Sequence, residues 1–548
     1  MRLALPLPPA RLYAPILALL VCLASLLAAE LWSPNWLVPA AITGFLCLVA
    51  LYDLTQTSHA IRRNYPILGH FRYFFETIRP ELRQYLFESE NEAAPFSRAQ
   101  RSLVYQRAKG VEDKRPFGTE QDVYGNGYEW INHSMKPHRI ANTDFRVAIG
   151  GERCTQPYQA SLLNISAMSF GSLSSNAIRA LNRGAQIGRF AHDTGEGSIS
   201  RYHRPESADE PGGDLVWEIA SGYFGCRDEA GNFDAQRFAA QARSPQVKMV
   251  EVKLSQGAKP GHGGVLPGPK VSAEIAEARG VPQGLDCISP ATHSAFSTPV
   301  ELLEFVALLR ELSGGKPAGF KFALGHPWEF FGICKAMLET GLLPDFIVVD
   351  GGEGGTGAAP LEFADHIGTP LQEALLLVHN TLVGLGLRDK IRIGASGKII
   401  SGFDMARTLA FGADWCNAAR GFMFALGCVQ SLSCHTDHCP TGVATQDKSR
   451  SRALVVTDKA PRVANFHRST LHALGELVGA AGLSHPKDLR PHHIVRRVSN
   501  NEVRLVSMLY KFLKPGELLV NPSAHAVYAM YWGMASAHSF DPQGLASA

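Results

Sequence analysis

Between about Ser161 and Phe424 the chain alternates short β-forming runs with longer helical ones. Eight runs have strand character: Leu162–Ile165, Arg189–Asp193, Val247–Lys253, Gly284–Ile288, Gly319–Ala323, Phe346–Asp350, Ile391–Ile393 and Asp414–Ala418. Helical runs among them include Ser174–Gln186, Pro299–Leu312, Trp328–Glu339, Leu371–Leu385 and Gly402–Ala410. Strands that alternate with helices build parallel sheets, because parallel neighbours need a crossover. Eight such units predict an α/β fold of the (β/α)8 TIM-barrel type, with an open doubly wound sheet as the rival. The barrel is favoured because the unusual residues come just after the strands, where a barrel builds its active site.

Those strand ends are rich in glycine. Met168–Ser172, Thr194–Gly197 and Lys253–Gly264 follow the first three predicted strands. Asp350–Gly357, Ala395–Lys398 and Asn417–Arg420 follow the sixth, seventh and eighth. Glycine lets backbone N–H groups approach a ligand closely. In such barrels a phosphate often sits on the loops after strands seven and eight. One phosphate with flat glycine-lined space beside it suits FMN. No G-x-G-x-x-G follows a strand and opens a helix, so nothing marks an NAD or FAD domain. Lys321 is a lone charge in the apolar fifth strand. It reads either as a cation beside a flavin or substrate carboxylate, or as a side chain that snorkels to water.

Cys428, Cys434 and Cys439 form a C-x5-C-x4-C array closed by Pro440. Thiolates bind soft metals and hold iron–sulfur clusters. Three ligands point to a 3Fe–4S cluster. The alternatives are a Cys3His zinc site using His435 or His438, and three buried thiols without metal. The remaining cysteines are scattered, which fits a reducing compartment better than a disulfide scaffold.

Two apolar stretches precede all this, Leu12–Ala29 and Trp36–Tyr52, with a short turn between them. Each is near the lower length limit for a membrane span. Arg2 and Arg11 lie on one side and Arg62 and Arg63 on the other, so both ends are expected in the cytoplasm. Reading the first stretch as a cleaved signal peptide leaves the downstream chain on the same side. From His59 to Leu86 a helix is expected, broken near Pro66 and Pro80. Its Arg62, Arg63, Arg72, Arg79 and Arg83 interleave with Phe71, Tyr73, Phe74 and Phe75. That face suits anionic membrane lipid, or equally packing on the catalytic domain. Asp113–Arg139 has no assignable structure. The net charge of +3 marks no nucleic-acid partner, and none is expected.

The segment from about Leu162 to Leu483 resembles the FMN-binding synthase domain of glutamate synthase. The resemblance rests on Ser166-Ala-Met-Ser-Phe-Gly-Ser-Leu-Ser174, Gln256-Gly-Ala-Lys-Pro-Gly, Leu266-Pro-Gly268, Ile288-Ser-Pro290, Gly354-Gly-Thr-Gly-Ala358 and the run from Gly427-Cys428 to Cys439-Pro-Thr-Gly-Val-Ala-Thr445. It implies a barrel that binds FMN beside a 3Fe–4S cluster on Cys428, Cys434 and Cys439. It also implies formation of 2-iminoglutarate from 2-oxoglutarate and ammonia, and its reduction to L-glutamate. Lys321 is then the expected catalytic residue. Ser169, Gly352, Gly355, Thr356, Gly397, Asn417 and Ala419 would hold the cofactor, and Ser172, Gln256 and Lys259 the substrate.

The resemblance has departures. The family's glutaminase domain and its glycine-repeat β-helix are not seen here. His262 stands where the family carries a glutamate. Ammonia is therefore expected from solution or a separate glutaminase subunit, and electrons from ferredoxin or a separate reductase subunit. The arrangement looks like a stand-alone, membrane-anchored branch. Two alternatives are a membrane-anchored flavin and iron–sulfur protein for electron transfer or redox sensing, and an FMN oxidoreductase of another 2-oxoacid and amine. The expected partition is a transmembrane hairpin at 1–55, a connecting region at 56–150, the barrel with its iron–sulfur loop at 151–485 and a helical tail at 486–548.

Overall fold

The computed structural model describes residues 9–91, 95–205, 207 and 211–544. The chain divides into two compact units, Met1–Glu92 and Ala93–Ala548.

In the first unit, helix Tyr13–Leu31 is followed by a 3-10 turn, Pro34–Trp36, and helix Leu37–Thr55. Their mean hydropathies are 2.3 for Tyr13–Leu31 and 2.0 for Pro34–Thr55, so both are long and apolar enough to cross a membrane. Trp32 and Trp36 meet edge to face at the turn, 6.4 Å apart. Asp53 is fully buried near the end of the second helix. It accepts the Ile67 backbone N–H at 3.0 Å and contacts His70 Nε2 at 2.9 Å, which folds the chain back after helix Ala60–Asn64. The break near Pro66 is present; the one at Pro80 is not. Pro80 lies inside helix Gly69–Leu82, which runs on into a π turn, Arg83–Phe87. The proline removes one i→i−4 donor, and the wider turn takes up the change, with Glu88 N–H reaching Arg83 O at 2.7 Å. Phe71, Phe74 and Phe75 are exposed.

The second unit is built on a closed barrel of eight parallel strands. In chain order they are Leu163–Ile165, His192–Asp193, Leu215–Ile219, Val247–Lys253, Ala318–Phe322, Phe346–Asp350, Arg392–Ser396 and Trp415–Ala418. Each pairs with its sequence neighbours, and the eighth closes on the first through Cys416↔Leu163 and Ala418↔Ile165. One expected strand lies outside the barrel, and one barrel strand lies outside the expected set. Cys287–Ile288 lies outside the barrel, paired antiparallel with Val265–Leu266. The third strand is Leu215–Ile219, so the loop from Lys253 to Gly264 follows strand four, not three. Arg189 does not begin a strand: it caps helix Ser175–Gly188 in the left-handed region at φ 53°.

Two further elements depart from expectation. Part of the unassigned Asp113–Arg139 segment, Glu129–Ile131, pairs antiparallel with Ile494–Ser499. That strand pairs in turn with Glu502–Leu505, so the region expected to be a helical tail contains a β-hairpin. Below the barrel, Arg146–Ile149 pairs with Tyr158–Ser161, and Ile149 and Ala160 border a small void beneath the interior layer with Trp415. The 25-residue helix Val456–Ala480 packs on Ser175–Gly188. Contact is close enough that a Cβ on Gly184 would lie 2.5 Å from Val463 Cγ1. All ten cysteines are unbridged.

Candidate functional site

A cavity of about 850 Å³ opens at the C-terminal ends of the strands. One wall comes from the loops after strands six, seven and eight, with Gly355, Thr356, Gly397, Asn417 and Ala419. Gln256 and Lys259 face it from the loop after strand four, and Lys321 and Asp350 form the floor. Cys428, Cys434 and Cys439 all line the remaining side. Ser169 and Ser172 border an adjoining space of about 340 Å³, which also takes in Gln256, Lys259, Thr356, Ala419 and Cys434. Gly352 borders neither space. A Cβ there would sit 2.6 Å from Gly368 O, so its glycine serves packing between loops.

Asp350 fixes the floor. It ends strand six, accepts Gly257 N–H at 2.7 Å and accepts the Ser396 hydroxyl. Three loops are thereby tied to one carboxylate. Gly257 comes so close that a Cβ would lie 1.8 Å from Gly351 O, which excludes any other residue there. Arg420 donates to Thr356 O at 2.7 Å and joins the loops after strands six and eight.

Lys321 does not snorkel. It is buried and pairs with Glu218 of strand three and, at 3.2 Å, with Glu251 of strand four. Asp193 of strand two completes the layer; acceptor atoms of Asp193, Glu218 and Glu251 lie within 4.8 Å of one another. Burial opposes the Lys321 charge, but Glu218, Glu251, Asp193 and Asp350 outweigh it and raise the ammonium well above its ordinary range. Two of the acids move up as well. Burial, against the pull of Lys321 and with repulsion from Glu218, pushes Glu251 to about 7. Burial and Glu251 push Asp193 well above the usual carboxylate range. Beside this layer Lys253 bonds Glu196 at 2.7 Å and holds its carboxyl down at about 2.

The sequence reading did not find these carboxylates. Their signal in the sequence is a single charge inside an apolar strand, the pattern that Lys321 also shows.

The cysteine wall is a loop wound tightly after helix Arg420–Leu426. Gln430, Leu432 and Asp437 adopt left-handed backbone at φ 57°, 58° and 67°. Tyr105 OH donates to Cys428 O at 2.6 Å, and Lys270 Nζ to His435 O at 3.1 Å. Burial pushes the Cys428 thiol up to about 11. Burial acts the same way on Cys439, but hydrogen bonds from Ala444, Thr441 and Val443 prevail and lower it. Donors aimed at sulfur favour thiolate, the form that binds metal. Three thiols on one wall of the cavity form a donor set that fits a soft metal or an iron–sulfur group, and the imidazoles of His435 and His438 are exposed.

Residues 129–484 match the conserved region in glutamate synthase. The chain is 37% identical over 507 residues to the glutamate synthase large subunit-like protein YerD of Bacillus subtilis, covering 85% of this chain and 95% of that one. It is 36% identical over 344 residues to the archaeal glutamate synthase (NADPH) of Methanocaldococcus jannaschii, covering 62% and 63%. Against the glutamate synthase (NADPH) large chain of Bacillus subtilis it is 31% identical over 342 residues, 60% of this chain but 21% of that one. A solved flavocytochrome b2 variant with pyruvate bound overlaps with a TM-score of 0.40 at 12% identity, covering 83% of this chain and 90% of that one. That overlap is too loose to carry weight, and the barrel rests on the strand pairing above. The extent of the sequence match places this chain in the glutamate synthase family, whose enzymes are oxidoreductases acting on CH–NH2 donors.

Proposed function

We propose that this chain is a membrane-anchored FMN and 3Fe–4S enzyme that reduces 2-iminoglutarate, formed from 2-oxoglutarate and ammonia, to L-glutamate. The observation that carries the reading is the single cavity with three cysteines on one side and glycine loops from strands six to eight on the other. Its volume of about 850 Å³ falls in the range of cofactor sites. When bound, FMN supplies hydride chemistry and the cluster single-electron transfer.

The chain's own residues do the rest. Gly397, Asn417 and Ala419 present backbone and amide groups to the phosphate. Gly355, Thr356 and Ser169 shape the cofactor's surroundings, and Gly352 supports them from behind. Lys321 provides a fixed positive charge at the floor, kept charged by its carboxylates. Ser172, Gln256 and Lys259 receive the substrate. Lys253, Lys270, Arg279 and Arg420 border the same adjoining space and outnumber Glu196 and Glu218. A dicarboxylate suits that excess of positive charge. Cys428, Cys434 and Cys439 hold the cluster. Two apolar helices anchor the enzyme with its barrel in the cytoplasm. Ferredoxin or a separate reductase subunit supplies electrons, and ammonia comes from solution or a separate glutaminase subunit.

The test is anaerobic reoxidation of photoreduced protein by a panel of 2-oxoacids with ammonium or methylamine. Reoxidation by 2-oxoglutarate with ammonium supports the reading. Preference for another pair overturns the substrate. Reoxidation by none leaves an electron-transfer or redox-sensing protein.

A further inference from the structure

A second large cleft, about 1170 Å³, lies at the opposite end of the barrel. Arg392 at the start of strand seven and Asp414 just before strand eight border it, whereas Ser396 and Asn417, farther along those strands, border the upper cavity. The two spaces are thus separated by the length of a barrel strand, about 15 Å.

The lower cleft concentrates positive charge that the whole chain, at +3, scarcely shows. Six cationic side chains border it: Arg146, Arg388, Arg392, Lys487, Arg490 and Lys511. Two are neutralised locally. Arg388 pairs with Asp414 at 2.8 Å and Arg146 with Asp144 at 2.6 Å. The other four face one remaining carboxylate, Asp389. Arg392 and Arg490 spend donors only on backbone carbonyls, such as Ala148 O at 3.2 Å and Lys487 O at 2.7 Å. Lys487 and Lys511 are exposed and make no salt bridge or side-chain hydrogen bond among the described residues. Unpaired cations brought together on a concave surface repel one another, and their field is focused by the cleft walls.

Two lining histidines are shifted toward the neutral form. Burial and Arg388 hold His379 at about 4, and burial and Lys487 lower His485. The lining also has an apolar side, with Val147, Leu162, Leu409 and Phe512. A bare inorganic anion would leave both the volume and that side unused.

We propose that this cleft binds a nucleoside polyphosphate, with the phosphates among Lys487, Arg490, Arg392 and Lys511 and the ring system against the apolar side. The site lies apart from the cavity assigned to FMN and does not depend on that assignment.

The experiment titrates ATP, tripolyphosphate and adenosine into the full-length protein in detergent at low salt, by calorimetry, with and without excess FMN. ATP is expected to bind with micromolar affinity, unchanged by FMN. Tripolyphosphate should bind at least about tenfold more weakly and adenosine not measurably. The double variant Lys487→Glu/Lys511→Glu changes only exposed side chains. It should weaken ATP by at least about tenfold while leaving the melting temperature and flavin content as they were. Absence of ATP binding overturns the proposal. Competition by FMN overturns it too, since the nucleotide would then occupy the upper cavity. So does unchanged affinity in the double variant, or tripolyphosphate binding as tightly as ATP.

Discussion

Replacing Lys321 by Met tests the interior of the barrel most directly. Lys321, Glu218 and Glu251 are each under 5% exposed, and the ammonium is the cation that Glu218 and Glu251 both contact. Methionine keeps much of the apolar stem and removes the charge. Breaking a buried ion pair by deleting one partner costs about 3–5 kcal/mol. The cost is largest where the orphaned carboxylates must stay ionised. Glu251 already stands at about 7 although the lysine pulls it down, and without the lysine it rises further. An acid whose folded pKa is raised stabilises the fold at low pH and loses that contribution as pH rises toward the folded value. The variant should therefore lose about 3–5 kcal/mol at pH 8 and clearly less at pH 6. Adding Glu218→Gln should recover much of the loss at pH 8. Denaturant unfolding of the purified protein at both pH values reads this out. The flavin should be retained, its potential lowered, and its reduction slowed by roughly a hundredfold, the scale of losing one electrostatic stabiliser. Equal stability of variant and parent at pH 8, with no pH trend, would refute the view that Lys321 neutralises this layer. Outright loss of FMN would make the residue structural.

Three other outcomes are expected. Cys434→Ser should lose its iron and loosen the adjoining end of the barrel, because ligation free energy is also folding free energy; zinc without iron in the parent protein sinks the cluster. Removing residues 1–55 should release a soluble protein that keeps its flavin, whereas extraction of the full chain by high salt alone would show peripheral attachment. Glu251→Gln should abolish the part of the stability decline that the parent shows between about pH 4.5 and 7, and a decline of unchanged size would mean another group carries it.

The barrel was legible because its evidence is local. Val247–Lys253, Phe346–Asp350, Pro299–Leu312 and Gly402–Ala410 have the bounds their residues announce. The misses have physical reasons. Leu215–Ile219 carries Glu218 inward, so a charge needed inside the barrel interrupted an otherwise apolar strand. Cys287–Ile288 is apolar enough to read as a barrel strand, yet it pairs antiparallel with Val265–Leu266 within the long connection after strand four. Glu129–Ile131 takes its conformation from Ile494–Ser499, more than 350 positions away, and no neighbouring residue signals that. The site divides in the same way. The cysteines and glycine loops are contiguous motifs. The acidic layer exists only once strands two, three and four meet Lys321.

The backbone of the cysteine loop has a mechanical consequence. Gln430, Leu432 and Asp437 are turned against their natural handedness within eight positions, at roughly 1–2 kcal/mol apiece. Whatever the thiols hold must act as the clasp on a wound spring. Released, the spring would uncoil before any barrel strand gives way, and an exposed Leu432 would be where a protease first finds purchase. Easing the coil with Leu432→Gly would make a loop that tolerates the loss of its clasp and resists cutting, because glycine rests comfortably in that twist.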